Sequence, residues 1–393
     1  MDLFEKCYVP ALQDEIREKE LYPYFHALES RQDVTVTMEG KRRIMLGSNN
    51  YLGLTVQPEV VEAGIAALRQ YGTGCSGSRF LNGTLKLHLE LEDALAEFLH
   101  QEAAMCFSTG FQSNLGAISA IAGHHDYILC DKENHASIYD GCRLSFARCY
   151  YYKHNDMQDL ERLLASCSAK GGVLIVTDGV FSMTGEIANL PEIVRLARQY
   201  GARVMVDDAH GLGVLGQGGR GTPSYFGLEQ EVDLYMGTFS KSLASLGGYV
   251  AGKARIIDYI RHASRPFIFS ASIPPACAAS ALAALRYLQA HPELVQTLAD
   301  LANYARSGMH QRGIPIIEAD TPIVPVYTYD PYNTLETSKR IYEAGVYVNP
   351  VLPPACNPGE CLLRTSYMAT LTKPLIDEAL DAIAQVMEGQ IHG

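Results

Sequence analysis

Residues 190–210, LPEIVRLARQYGARVMVDDAH, predict a helix that leads directly into a buried strand. Pro191 fits the first turn of a helix, and Gly201 is typical of the residue that follows one. The apolar face of this helix is made by Ile193, Leu196 and Ala197. Val204–Val206 is apolar without interruption, as in strands that are covered on both faces. A helix followed by such a strand is the repeating unit of an α/β fold.

Further runs of the same kind extend this pattern in both directions. They are Ala104–Phe107, Tyr127–Cys130, Val173–Thr177, Leu234–Met236 and Tyr249–Ala251. Because helical patterns separate most of them, we expect a large domain with a mainly parallel sheet flanked by helices.

After Pro274-Pro275 short strands and helices alternate, which predicts a smaller α+β domain. The expected elements there are helix 276–290, strand 323–329, helix 335–344, strand 362–366 and helix 375–387. Near the start of the chain, Val9–Glu20 is amphipathic and a polar connection follows it. The 393 residues thus divide into an N-terminal helix and connection, a large domain and a small domain. Their predicted ranges are 1–48, 49–270 and 271–393.

Composition excludes several classes of protein. The net charge of −12 argues against nucleic acid and anionic membranes as main partners. The most apolar stretch, Ala276–Leu285, has ten residues, whereas a membrane span needs about 20. The first 20 residues are charged and lack an apolar signal core, and the ten cysteines form no CxxC pair. We therefore expect a cytoplasmic chain with no membrane span and no metal site.

One glycine motif has two interpretations. Gly211-Leu-Gly-Val-Leu-Gly216 matches the G-x-G-x-x-G pattern of dinucleotide-binding proteins. That function requires a helix to begin at once, so that its N-terminus meets a pyrophosphate. Residues 217–223, QGGRGTP, cannot sustain a helix. The sequence favours a glycine-rich loop with close backbone approach over an NAD site.

Polar residues cluster after predicted strands, where the ligands of parallel sheets bind. The clusters are Ser108–Phe111, Asp131–His135, Asp207–His210 and Gly237–Lys241. Together they contain what an electron-sink cofactor needs. Lys241 supplies an amine for a Schiff base, and Asp207 can keep a pyridine nitrogen protonated. The flat ring of His135 can stack on the cofactor.

A phosphate group of that cofactor also has candidate ligands. These are the hydroxyls of Thr238 and Ser240 and the N–H groups of Gly110 and Phe111, where a helix begins. Each residue alone has an ordinary explanation: a solvated lysine, a helix-capping aspartate, a structural histidine. The combination, with each cluster at a strand end, is what indicates the cofactor site.

The sequence resembles those of a known family, the α-oxoamine synthases. The resemblance runs from about Leu46 to Ser366. The motifs that carry it are Asn50–Gly53, Gly77–Gly83, Asn134–Gly141, Asp207–His210, Gly219–Gly221, Thr238–Lys241 and Ile268–Ser272. Members of this family are fold-type-I pyridoxal-phosphate (PLP) transferases that join an amino acid to an acyl-CoA with loss of CO₂.

The resemblance implies roles for individual residues. Lys241 forms the Schiff base, Asp207 pairs with the pyridine nitrogen and His135 stacks on the ring. His210 is implied to lie by the ring hydroxyl. The phosphate ligands implied are Gly110, Phe111, Thr238, Ser240 and, from the other subunit, Ser270 and Ser272. The family therefore implies a homodimer with shared active sites.

Three segments most resemble the family members that condense L-serine with palmitoyl-CoA to 3-ketodihydrosphingosine, the first step of sphingolipid synthesis. They are Gly77–Thr84, Arg265–Ser272 and Gly345–Pro354 followed by Leu362–Arg364. By this resemblance Arg364 holds the carboxylate of the amino acid and Asn50 assists. The other activities that remain open are those of 2-amino-3-ketobutyrate-CoA ligase, 8-amino-7-oxononanoate synthase and 5-aminolevulinate synthase. A catalytically inactive scaffold subunit is the alternative from another class.

Overall fold

The computed structural model describes residues 2–167 and 171–391. The strands in this part of the chain are β1 (Thr35–Met38), β2 (Lys41–Met45), β3 (Ala103–Phe107), β4 (Tyr127–Asp131), β5 (Arg148–Tyr152), β6 (Val173–Asp178), β7 (Arg203–Asp207), β8 (Leu234–Thr238), β9 (Gly248–Gly252), β10 (Ile323–Tyr329), β11 (Val346–Tyr347), β12 (Asn349–Val351) and β13 (Cys361–Ser366). The helices are α1 (Leu12–Glu18), α2 (Pro58–Tyr71), α3 (Lys86–Phe98), α4 (Gly110–Ile121), α5 (Ala136–Leu144), α6 (Met157–Cys167), α7 (Leu190–Tyr200), α8 (Thr222–Tyr225), α9 (Ala254–Ala263), α10 (Arg265–Ile268), α11 (Pro275–Ala290), α12 (Glu293–Gln311), α13 (Pro331–Glu343) and α14 (Lys373–Ile391).

A seven-stranded sheet in the order β3-β9-β8-β7-β6-β4-β5 organises the large domain. The strands from β8 to β5 run parallel, and β9 is antiparallel to both of its neighbours. Every residue of β4, β6 and β8 is buried, which explains why these strands are apolar without alternation. The predicted mainly parallel sheet is confirmed. Its parallel strands deliver Asp131, Asp178, Asp207 and Thr238 to one edge.

Helix α7 forms as the opening stretch predicts. Pro191 lies in its first turn, and Gly201 follows it with φ +67° and ψ +23°, a left-handed conformation that glycine adopts readily. Ile193, Leu196 and Ala197 are buried in the core against the sheet. The strand β7 follows after one further residue and carries Asp207 at its end.

Helix α11 packs against α2 and α3, and its buried face belongs to the same core as the large sheet. The core of the large domain therefore includes residues beyond 270, where the predicted domain ends. The division of the chain into domains at residues 48 and 270 stays a prediction.

Two three-stranded sheets accompany the large one. In the first, β13 lies between β10 and β12, and all its pairings are antiparallel. In the second, the β1–β2 hairpin is extended by β11 from the far end of the chain. The predicted polar connection after α1 thus contains two strands. Their apolar residues Val36 and Ile44 pack on the core of the C-terminal part, which local sequence does not reveal.

Within the described ranges, no helix has the combination of length and apolar character that crossing a bilayer requires.

Candidate active site

A cavity of about 210 Å³ lies at the carboxyl ends of β6, β7 and β8. The predicted site residues that line it are Gly110, Phe111, His135, Asp207, His210, Thr238, Ser240 and Lys241. The structure thus brings together residues that lie up to 131 positions apart in the sequence. The predicted residues Asn50, Ser270, Ser272 and Arg364 are not part of this lining.

Lys241 follows β8 and faces the cavity. Within the described part of the chain its amine has no hydrogen-bond partner. Burial lowers the pKa of the Lys241 amine to about 8, an effect that Asp207 opposes and Arg364 strengthens. The amine therefore becomes neutral and nucleophilic at a lower pH than an ordinary lysine does.

Asp207 ends β7 and is buried. Its Oδ2 accepts a hydrogen bond from Asn114 Nδ2 at 2.6 Å, and its Oδ1 accepts one from the Ala209 N–H at 3.0 Å. Donors of this kind favour the ionised carboxylate. The sequence does not predict a role for Asn114, on α4, because nothing in its local pattern distinguishes it from a structural asparagine.

Asp178 is a second buried carboxyl group that the sequence analysis did not single out. It ends β6 directly beside Asp207, with which it is in register, and it lines the same cavity. Burial and the neighbouring Asp207 carboxylate raise the pKa of Asp178 well above its ordinary value. The negative charge of the pair therefore rests on Asp207, because two adjacent carboxylates do not both ionise readily.

His135 caps the N-terminus of α5. Its Nδ1 lies 2.7 Å from Ser137 Oγ and accepts a hydrogen bond from the Ser137 N–H at 3.3 Å. Burial lowers the pKa of His135, while Asp207 opposes this shift and Lys241 adds to it. The neutral ring therefore carries its proton on Nε2.

The N-terminus of α4 forms one end of the cavity. A Cβ at Gly110 would lie 2.8 Å from Thr238 Oγ1, so only glycine fits beside that hydroxyl. Thr238 Oγ1 also lies 2.9 Å from Ser240 Oγ. Among the described residues, the N–H groups of Gly110 and Phe111 have no acceptor. Free N–H groups beside two hydroxyls at a helix start make a suitable phosphate site.

His210 is held from the opposite side of the cavity. The Tyr51 hydroxyl lies 2.7 Å from His210 Nδ1 and accepts from Arg364 Nη2 at 3.2 Å. Burial, with the positive charges of Lys241 and Arg364, holds the pKa of His210 well below its ordinary value. His210 is thus neutral.

Arg364 is buried in β13 and reaches this network from the small domain. Its Nη2 donates to Asn49 Oδ1 at 2.9 Å, and its Nε donates to the Ser182 carbonyl. Asn50 points elsewhere: its Nδ2 donates to Thr55 Oγ1 at 2.7 Å. The side chain that contacts Arg364 is therefore that of Asn49, and the predicted role of Asn50 beside the substrate carboxylate stays a prediction.

The glycine motif at 211–216 forms a loop around Asp208. Thr222 donates to both carboxylate oxygens of Asp208, from its N–H at 2.8 Å and its hydroxyl at 2.6 Å. A Cβ at Gly211 or Gly221 would lie 1.9 or 1.6 Å from the same oxygens. No helix of more than four residues follows before β8, as expected for a glycine-rich loop rather than a dinucleotide site.

Ser270 and Ser272 are not among the residues that line the cavity of their own chain. Ser270 Oγ accepts from Gln112 Nε2 at 3.1 Å, and Ser272 donates from its hydroxyl to the Gly77 carbonyl at 3.1 Å. The adjoining Phe269 is 74% exposed.

Comparison with known proteins gives a consistent result. The sequence profile of "Aminotransferase class I and II" matches residues 41–383. The chain is 51% identical over 368 residues to serine palmitoyltransferase from Bacteroides thetaiotaomicron, covering 94% of this chain and 93% of that protein. It is 43% identical over 375 residues to 8-amino-7-oxononanoate synthase from Geobacter sulfurreducens, covering 95% and 96%. Both relatives are α-oxoamine synthases.

The chain belongs to the α-oxoamine synthases of the aminotransferase class I and II family. Serine palmitoyltransferase from S. paucimobilis, solved with PLP and myriocin bound, superposes with a TM-score of 0.96 at 36% identity over 99% of both chains. The family, the fold-type-I architecture and the PLP cofactor that the sequence predicts are thereby confirmed.

The donors in the cavity fit this cofactor. Asp207 is suited to pair with its pyridine nitrogen, and the free N–H groups and hydroxyls at the start of α4 are suited to bind its phosphate. Lys241 offers the amine. A family member of this kind needs each of these groups.

Proposed function

We propose that the chain catalyses the decarboxylative condensation of L-serine with palmitoyl-CoA, giving 3-ketodihydrosphingosine, CoA and CO₂. The observation that carries this proposal is about 50% identity, over nearly the whole length, to four relatives named serine palmitoyltransferase. The 8-amino-7-oxononanoate synthases reach 41–43%.

Lys241 has two tasks in this proposal. PLP, when bound, supplies an electron sink for the bonds broken at the amino-acid Cα. Lys241 Nζ holds the cofactor covalently before serine arrives and, once displaced, takes the Cα proton. The lowered pKa of this amine, about 8, suits both tasks because each requires a neutral nitrogen.

Asp207 and His135 hold the reacting groups in position. Asp207, as the ionised member of its carboxyl pair, keeps the pyridine nitrogen protonated and so maintains the sink. His135 lies across the cavity with a protonated Nε2, from which it can donate to the serine carboxylate. A donor at that oxygen orients the Cα–carboxylate bond that breaks in the decarboxylation step.

Arg364 is proposed to hold the carboxylate of serine. Its Nη1 has only a 3.5 Å contact, to Ser366 Oγ, whereas Nη2 and Nε each have closer partners. Nη1 is therefore the guanidinium nitrogen with capacity for a new acceptor. An arginine–carboxylate contact of this kind is charge-assisted and orients the substrate as well as binding it.

The proposed assembly is a homodimer in which Ser270 and Ser272 complete the phosphate site of the partner. Two observations support this: both serines lie outside the cavity of their own chain, and the adjoining Phe269 is largely exposed.

A matrix of amino acids and acyl-CoA thioesters tests the proposed function. Serine, glycine and alanine are each combined with acetyl-, succinyl-, pimeloyl- and palmitoyl-CoA, and CoA release and product mass are recorded. We expect the highest kcat/KM for serine with palmitoyl-CoA, and no product with Lys241→Ala. Preference for alanine with pimeloyl-CoA, or glycine with a short acyl group, would reject the proposal.

A further inference from the structure

The side chain of Asn114 joins two of the groups that face the cofactor. One of its amide protons is directed at Asp207 Oδ2, at a distance of 2.6 Å, and the other at Ser137 Oγ, at 2.8 Å. Ser137 Oγ in turn lies 2.7 Å from His135 Nδ1. A continuous chain of hydrogen bonds therefore runs from the carboxylate of β7 through α4 to the imidazole at the start of α5.

The direction of each hydrogen bond in this series follows from which atoms can donate a proton. Because Asp207 is the ionised carboxylate, it can only accept, so the NH₂ group of Asn114 faces it. Ser137 Oγ accepts the second Asn114 proton and must then donate its own proton to His135 Nδ1. The same Nδ1 cannot hold a proton, which places the proton of the neutral imidazole on Nε2.

The packing of two helices makes this contact possible. Asn114 and Ser137 are almost fully buried, on α4 and α5 respectively. The two helices approach closely at Gly141, where a Cβ would lie 3.1 Å from the Asn114 carbonyl oxygen. Gly141 is four residues after Ser137 and therefore lies on the same face of α5.

Asn114 Oδ1 is buried without a hydrogen-bond partner among the described residues. Turning the amide over would be unfavourable, because the oxygen would then face the Asp207 carboxylate, which has no proton to donate. A buried acceptor left unpaired is unfavourable for folding. Stability alone therefore does not explain an asparagine at position 114. Its two donated hydrogen bonds, to Asp207 and Ser137, do.

Resting on the proposed function of the site, we propose that Asn114 is a positioning residue for both Asp207 and His135. Its first proton holds Asp207 ionised and aligned toward the pyridine nitrogen. Its second proton, through the Ser137 hydroxyl, acts together with the Ser137 N–H to favour the tautomer of His135 in which Nε2 is the donor toward the substrate. Asn114 touches neither cofactor nor substrate in this proposal.

Two variants distinguish the hydrogen bond from Asn114 to Asp207 from the link through Ser137 to His135. Asn114→Leu removes both donors at similar volume, whereas Ser137→Ala breaks only the link to His135. Ser119→Ala is the matched control, because Ser119 lies on the same helix and its hydroxyl donates to the Leu115 carbonyl of that helix. For each holoenzyme we would measure kcat, KM for the amino acid, the dissociation constant of PLP, the thermal midpoint and the pH titration of the cofactor absorbance.

We expect Asn114→Leu to lower kcat and weaken PLP binding roughly tenfold each, the size of one hydrogen bond to a charged group. It should also shift the absorbance titration, since Asp207 loses its donor. Ser137→Ala should lower kcat but leave that titration and the PLP affinity near wild type. Ser119→Ala should leave all measurements unchanged.

Two results would overturn the proposal. One is an Asn114→Leu protein with wild-type PLP affinity and absorbance titration, whether or not its thermal midpoint falls. The other is the same titration shift in Ser137→Ala, which would show that both residues act only through packing. The PLP measurements need no amino acid or thioester, so they decide the role of Asn114 even if the product is not the one proposed.

Discussion

The amine of Lys241 lies among charges of both signs, and these set its reactivity. We predict that covalent capture of PLP by the apo-protein rises with pH and is half-maximal near pH 8, because the pKa of Lys241 is lowered to about 8 from 10.5. Only the neutral amine attacks, so the rate is low below this pH and constant above it. The rate of adduct formation, measured across this range, gives the midpoint.

Arg364→Gln is a control for which the direction of the midpoint shift can be predicted. The guanidinium of Arg364 helps to lower the pKa of Lys241, so its removal should move the midpoint to higher pH. A wild-type midpoint close to 10.5, or a downward shift in Arg364→Gln, would mean that the amine is not in the environment described.

Substitutions of the adjacent residues Asp207 and Asp208 should have different effects on turnover and on stability. Asp207→Asn should keep the fold and reduce kcat about 10²-fold or more, since a preorganised charge opposite the cofactor is lost. Asp208→Asn should leave kcat near wild type and reduce the free energy of unfolding by about 1–3 kcal/mol, because one of its two bonds from Thr222 is replaced by a clash of donors. Turnover and denaturation curves distinguish the two. Equal losses of turnover with intact folds would move the role of ring partner to Asp208.

At the scale of elements, the glycine-rich loop after β7 is built around a buried carboxylate. Gly221 and Gly218 both have positive φ, of +95° and +61°, but a Cβ would lie 1.6 Å from Asp208 Oδ2 at Gly221 and meets nothing within 4 Å at Gly218. We predict that Gly218→Ala reduces the free energy of unfolding by about 1–2 kcal/mol, from backbone conformation alone. Gly221→Ala should cost clearly more, as read from urea denaturation. Equal costs would show that contact with Asp208 is unimportant.

The elements that the sequence predicts well are those whose burial is uniform. β4, β6 and β8 are buried along their full length, so their residues are apolar in unbroken runs. β5, at the sheet edge, alternates exposed and covered residues and carries several tyrosines, and no strand was predicted there. Likewise β1 and β2 become a sheet only with β11, about 300 residues further along. Pairing over such a distance is a tertiary effect that local pattern does not contain.

The site shows the same division. Lys241, Asp207 and His135 follow strands directly, so the topology of a parallel sheet was enough to predict that they meet. Asn114 lies inside α4, and Asp178 belongs to a run that was predicted as strand only to residue 177. Their contribution depends on which neighbour each side chain faces. Asn49 and Asn50 differ in the same way, since adjacent residues in a loop point in different directions.

At the scale of the whole molecule, the proposed shared active site predicts complementation between inactive chains. Lys241→Ala lacks the amine, and a chain with Ser270→Ala and Ser272→Ala lacks the serines for its partner. A mixed dimer then has one site with an intact Lys241 and two intact serines. Random mixing should restore about one quarter of the wild-type sites, since half of the dimers are mixed and each has one intact site.

Light scattering and assays of the refolded mixture test this arrangement. Activity that exceeds the sum of the two separate variants supports sites built from both chains. A mixture no more active than its components, or an active monomer in solution, would contradict it.

The carbon balance of the reaction decides whether the chain condenses L-serine with palmitoyl-CoA by decarboxylation. The holoenzyme is supplied with palmitoyl-CoA and L-serine labelled with ¹³C at the carboxyl carbon, and the CO₂ and the lipid product are analysed by mass spectrometry. We predict one labelled CO₂ for each CoA released and an unlabelled C18 amino ketone with the mass of 3-ketodihydrosphingosine. Label retained in the lipid, or CoA release without labelled CO₂, would contradict it.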